Sequence, residues 1–250
     1  MDSVSPASKN RTMELSFNAY IDGFNLYKGI LQENPEIKWL DIKGMCEAVW
    51  PQKTLDKIYY FTAGVKSRYP GDRASDRQHA YLRALESSGV KIVKGKFVKN
   101  LGWAPLLNER RSHFTNPQLP RRFGFIQGAI TSIFKEAHPK LPSAQIVKLE
   151  EKGSDVNLAS YLLRDVFVAN AQSILVISGD SDLVTPIKMA VNHGAYVKVI
   201  VPGYRQNTND LQAAASELQR AEIDILRNHQ FEDVMHAKSG KEIRRPRGWK

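Results

Sequence analysis

Residues 174–183 read ILVISGDSDL. Four large apolar residues lead into a serine and a glycine, and two aspartates follow, Asp180 and Asp182, one residue apart. A short continuous apolar run closed by a turn signal is the pattern of a strand buried on both faces. Two like charges straight after such a strand repel, and raise each other's pKa, unless solvent or a cation separates them. The stretch therefore predicts an interior strand of a covered sheet with an acidic mouth at its carboxyl end.

The same grammar repeats on either side. Downstream, "DLVTPIKMAVNHG" is helical and "AYVKVIVP" is a strand; "NDLQAAASELQRA" reads as a helix and "EIDIL" as a last short strand. Upstream, "FNAYID" is the first strand, and "DIKGMCEAVW" a helix with Asp41 as N-cap and Pro51 as its stop. "KIYYFTAGV" is a strand, "RQHAYLRALESSG" a helix ended by glycine, and "VKIVKGKFV" extended. "AQIVKLEE" is a strand before the helix "SDVNLASYLLRDVFVAN", whose Val156, Ala159, Leu163 and Val166 recur at spacings of three and four. Strands alternating with helices predict an α/β fold, three layers with a mainly parallel central sheet flanked by helices. Residues 100–142, rich in proline, arginine and aromatics, break the rhythm and read as a basic insertion, with a hairpin as one way to order it.

Bulk properties narrow the classes. A chain of 250 residues with 42% hydrophobic and 25% charged residues can bury a sizeable core. No apolar run approaches the roughly 18 residues that span a bilayer. Residues 1–15 lack an apolar segment and read as a disordered leader, and residues 229–250 as a basic tail without periodicity. Cys46 is the single cysteine, which excludes an internal disulfide or a multi-cysteine zinc site and points to a reducing cytoplasm. A formal net charge of +10 favours a polyanionic partner, with simple solubility as the bland alternative.

In an open parallel sheet, ligands bind beyond the carboxyl ends of the strands. Asp22 closes the first strand, Asp180 and Asp182 follow "ILVIS", and Asp155 opens the helix just after "AQIVKLEE". Four carboxylates at one sheet edge suit a hard divalent cation, which prefers oxygen ligands. Each has a plainer reading: Asp155 as a helix cap with Ser154, Asp180 or Asp182 as the cap of the next helix, and Asp22-Gly23 as a turn. These readings are comfortable singly and strained jointly. The six histidines show no metal-ligand spacing, and no nucleophile elbow or phosphate loop is present.

"YIDGFNLY" (residues 20–27), "EKGSDVNLASYLLRD" (151–165) and "VISGDSDLVTPI" (176–187) resemble, in order and spacing, the three signature blocks of the NYN domain. That family is also called LabA-like or DUF88 and belongs to the PIN-like nuclease superfamily. The resemblance spans about Phe17 to Leu226, so that residues 16–228 would form the domain. It implies a PIN-like fold and a ribonuclease dependent on Mg²⁺ or Mn²⁺. It places Asp22, Asp155, Asp180 and Asp182 as metal ligands, with Asn25 as a polar companion. The chain departs from the pattern in its long basic insertion and in "AAASELQRAEIDIL", which lacks the Ala-Asp of relatives. A bound divalent ion would stabilise the charge that builds on a phosphodiester under attack by water. Lys66 and Arg68 in "KSRYPGDR", Arg121 and Arg122 in "RRFGF", and Lys152 would draw RNA, single-stranded or structured, towards the acids. No membrane partner is implied, and self-association into a homo-oligomer stays open. Three rivals exist. A HAD-type phosphatase would want two acids in the first strand, a Toprim enzyme a glutamate there, and a non-catalytic RNA-binding scaffold would need none of the acids.

Overall fold

The computed structural model describes residues 15–65, 71–105, 143–203, 208–237 and 239–249. The chain divides into two compact units, residues 98–150 and the remainder. In chain order the first half contains β1 (Ser16–Asp22), α1 (Gly23–Leu26), running on as a π-turn over Tyr27–Leu31, α2 (Ile42–Val49) and β2 (Thr54–Thr62). Next come α3 (Ala74–Ser87), β3 (Lys91–Lys94), β4 (Lys96–Pro105), β5 (Ser143–Lys152) and α4 (Ser154–Phe167). Then follow β6 (Ser173–Ile177), α5 (Val184–Asn192), β7 (Tyr196–Val201), α6 (Asn209–Ala214), β8 (Glu217–Arg220), α7 (Ile223–Asn228), β9 (Val234–His236) and β10 (Glu242–Arg244).

Six strands form one sheet in the order β3-β2-β1-β6-β7-β8, and every neighbouring pair is parallel. The fold is α/β with helices on both faces. The side-chain period of two divides the strands between two cores. Phe17, Ala19 and Ile21 of β1, Ile58 and Tyr60 of β2, and Leu175 and Ile177 of β6 face α2, α3 and the C-terminal segment. Tyr20, Tyr59, Phe61, Ile174, Val176, Val197 and Val199 face α4, α5 and α6. The chain order of the strands reverses between β1 and β6. Their carboxyl ends therefore flank the switch point where open α/β sheets bind ligands.

Several boundaries depart from the sequence reading. "AQIVKLEE" is a strand, but β5 pairs with β4 in a two-stranded sheet of its own rather than joining the main one. The last strand of the main sheet is the ELQR of β8, inside the expected helix, and "EIDIL" opens α7 instead. The alanine run does begin as helix, but Ala215 turns extended (φ −83°, ψ 155°) and the chain joins the sheet edge, where Lys198 and Glu217 pair at 3.2 Å. On α4 the core face is Leu158, Leu162 and Val166 at spacings of four, while Val156 is exposed. The described residues 229–237 and 239–249 are packed rather than trailing: β9 and β10 pair antiparallel, and Phe231 and Ile243 are buried in the core with Trp249 against it. Residues 1–14 lie outside the described residues. No helix among the described residues is long and apolar enough to cross a membrane.

Candidate metal centre

β1 ends on Asp22, which is 3% exposed and lies on the same side of the strand as Tyr20, facing α4. Its carboxylate is pinned at both oxygens. Oδ1 accepts the Asn25 backbone N–H at 2.8 Å, which makes Asp22 the N-cap of α1. Oδ2 accepts the Ser178 hydroxyl at 2.9 Å. Asn25 is itself buried, and its side-chain oxygen accepts the Gly179 N–H across the switch point at 3.0 Å. The turn after β6 is thus locked to the turn after β1 by two hydrogen bonds. Gly23 permits the fit, because a Cβ there would come within 2.4 Å of the Tyr60 ring.

Asp180 follows β6 and caps the next turn, accepting the Asp182 N–H at 3.1 Å, while its own N–H donates to Ser178 Oγ at 3.1 Å. Asp155 stands in the first turn of α4. The N-cap of that helix is Gly153, in left-handed conformation at φ 92°, rather than Ser154 or Asp155. Asp22, Asp155 and Asp180 each offer one carboxylate oxygen, and these atoms lie within 4.8 Å of one another. Burial raises the Asp22 pKa to about 7, the negative charges of Asp155 and Asp180 push the same way, and the hydrogen bonds from Asn25 and Ser178 oppose the rise. Three hard oxygen donors, one of them deeply buried and strained by its neighbours' charge, fit a divalent cation better than they fit each other.

Asp182 departs from the expectation. Its side chain points to solvent, and it is not one of the carboxylates gathered within that distance. The physical reason is the short turn of 3₁₀ helix at Ser181–Leu183, which Asp180 caps from the site side and whose buried residue is Leu183, while Asp182 between them is exposed. Lys152 is exposed, three residues before Asp155. Lys66, Arg68, Arg121 and Arg122 lie outside the described residues. The contribution of Ser178 was missed; its signal was a small hydroxyl residue at the end of an otherwise apolar run, a type that is seldom buried without a partner.

A second polar cluster ties α4 to the strands. Asp165, 1% exposed, accepts the Tyr20 hydroxyl at 2.8 Å and the Arg164 guanidinium at 2.6 Å. Arg164 also donates to the Tyr59 hydroxyl at 3.1 Å. Burial, then the Asp165 charge, holds the Tyr20 phenol far above its ordinary range. It is a neutral donor at any working pH.

No family model matches the chain. Among curated proteins it is similar to the 6-hydroxy-3-succinoylpyridine 3-monooxygenase HspA of Pseudomonas putida, 26% identical over 209 residues, which are 75% of this chain and 60% of HspA. The chain thus spans less than two thirds of that relative's length. Among solved structures it is similar to a protein of unknown function from Vibrio parahaemolyticus, with a TM-score of 0.39 and 13% identity over 84% of this chain and 94% of that one.

Proposed function

We propose that this chain is a NYN-type, PIN-like ribonuclease that hydrolyses RNA phosphodiester bonds with Mg²⁺ or Mn²⁺. The observation that carries the reading is the meeting of Asp22, Asp155 and Asp180 at the switch point of the parallel sheet. These three would hold the ion, and the exposed Asp182 is left out of the set. When bound, the ion would neutralise the charge that builds on the phosphoryl oxygens and the leaving oxygen. Asp22, fixed at both oxygens, supplies the rigid wall of the site, and Asn25 and Ser178 keep its orientation. Asp155 and Asp180 are only half-buried and leave the solvent side open to an incoming phosphate. Water attacks phosphorus, the ester P–O bond breaks, and the departing oxygen takes up a proton. The surplus of positive charge supports a polyanionic substrate. Its single buried cysteine fits a reducing cytoplasm.

The test is turnover of labelled RNA by purified protein, with Mg²⁺ or Mn²⁺ and then with excess EDTA. Cleavage that EDTA abolishes and the ions restore is the expected result. RNA binding without cleavage would favour a scaffold that kept the fold. A second reading starts from HspA, a monooxygenase by name. Consumption of oxygen by the protein with 6-hydroxy-3-succinoylpyridine and an added two-electron reductant, but no cut RNA, would replace the ribonuclease.

A further inference from the structure

The turn that begins at Asp22 has two faces. Gly23, Asn25, Leu26, Ile30 and Leu31 point inwards and are buried. Phe24 and Tyr27, three residues apart and hence neighbours on one helical face, point outwards at 37% and 39% exposure. Single exposed apolar residues are ordinary. Here, however, two rings share a face, and each is attended by a cation. Lys28 Nζ lies 5.8 Å from the Phe24 ring centroid, and Lys38 Nζ lies 5.8 Å from that of Tyr27. A third cation crowds the second pair: burial first, and then the nearby Arg77 charge, lowers the Lys38 pKa, with Glu36 only partly compensating. A positive pair of this kind gains from an anion, and contacts between lysine and an exposed ring are weak enough that the ammonium can turn to one.

We propose that Phe24 and Tyr27, with Lys28 and Lys38, form a stacking platform for unpaired RNA bases beside the acidic centre. The rings take base faces and the cations take the intervening phosphates, the combination by which proteins hold single strands without reading sequence. Phe24 stands two residues beyond Asp22 on the same turn. Bases inside a duplex are already stacked and paired and cannot lie on these rings. The substrate class is therefore single-stranded RNA. This inference rests on the ribonuclease reading and narrows it.

Binding is measured by fluorescence anisotropy in the Asp180→Asn background, which keeps the RNA intact, using a labelled oligouridylate of about 12 nucleotides and a hairpin duplex of similar length. Phe24→Ala and Tyr27→Ala should each weaken oligouridylate binding roughly tenfold, and together roughly a hundredfold, with little change for the hairpin. Tyr27→Phe, which keeps the ring, should bind as the parent does. Lys28→Ala with Lys38→Ala should flatten the slope of log affinity against log salt by about 1.4 for the single strand. Circular dichroism confirms that each variant is folded. Unchanged oligouridylate affinity in the double ring variant overturns the platform. If that variant also changes sedimentation, the face is a contact between copies of the chain, which overturns it equally. Should the unmutated protein neither bind nor cut RNA, the ribonuclease reading falls first. Metal-dependent cleavage together with insensitive ring variants removes the platform alone.

Discussion

Asp22 is where the chemistry and the stability of the protein meet. Its pKa, ordinarily 3.8, stands at about 7 in the folded protein, chiefly through burial. A carboxyl with a raised folded pKa favours the native state fully below its unfolded value, and that contribution is lost as pH rises through the folded value. The metal-free protein should therefore lose Tm between about pH 4 and pH 7, and Asp22→Asn should flatten that slope. Thermal melts in EDTA across the range check this; parallel curves for the two proteins would remove Asp22 as the source. Adding Mg²⁺ or Mn²⁺ at high pH should raise Tm, since an ion bound only by the folded state stabilises it by mass action. Asp180→Asn should abolish that rise and slow RNA cleavage by on the order of a hundredfold or more. Asp182→Asn should leave the rise intact, because its side chain lies outside the gathered set. Ser178→Ala, which takes one hydrogen bond from Asp22, should weaken the ion by about 10- to 100-fold, as the loss of ligand-orienting partners commonly does.

The elements explain which parts of this could be foreseen. Strands β1, β6 and β7 and the second half of β2 announce themselves as apolar runs because both their faces are covered, so nearly every residue there is buried. Their carboxyl-end acids, Asp22 and Asp180, were legible for the same reason: a charge directly after such a run has to be explained. Asp155 was found through a faulty route, since β5 stands outside the main sheet, and the residue reaches the centre from the first turn of α4. Nothing local distinguishes a strand that joins the main sheet from one that pairs elsewhere. The grip of α4 on β1 was equally hidden, because it needs Tyr20 and Asp165, 145 residues apart, to meet. Removing that hydroxyl leaves a deeply buried carboxylate with one fewer donor. Tyr20→Phe should cost about 1–3 kcal/mol, seen in urea denaturation as a lower midpoint at unchanged slope. If α4 is also what carries Asp155 to the ion, the variant should bind Mn²⁺ more weakly in its folded state. Full stability in Tyr20→Phe would mean that the apolar contacts of Leu158 and Leu162 suffice to seat the helix.

Across the whole molecule, the positive surplus and the C-terminal segment have to be separated. Read as sequence, residues 229–250 are a basic arm suited to a polyanion. In the fold, two of its arginines are engaged nearby: Arg244 with Glu242, and Arg245 with Asp233 at 3.2 Å. Its apolar residues are too widely spaced to show a period, yet Phe231 and Ile243 are buried and Trp249 packs on Trp39 and Tyr81 at ring separations of 6.2 and 5.9 Å. The Trp39 indole N–H donates to the Glu232 carbonyl at 2.9 Å, closing the same joint from the other side. The segment thus covers one core of the sheet, and its removal should act on stability before it acts on binding. Burial of Phe231 and Ile243 is worth about 3–6 kcal/mol together, a large part of the 5–15 kcal/mol typical of a domain. A chain ending at Gln230 should melt on the order of 10 °C lower or fail to fold. Ile243→Ala alone, which leaves every positive charge in place, should lower Tm in the same direction by about half as much. A solvated basic arm would behave oppositely: its deletion would leave Tm unchanged and flatten the salt dependence of RNA affinity. Scanning calorimetry of the two variants, with binding over a salt series for whichever remains folded, tells the cases apart. A stable truncated protein with a flattened salt slope would move the nucleic-acid contact onto the C-terminal segment.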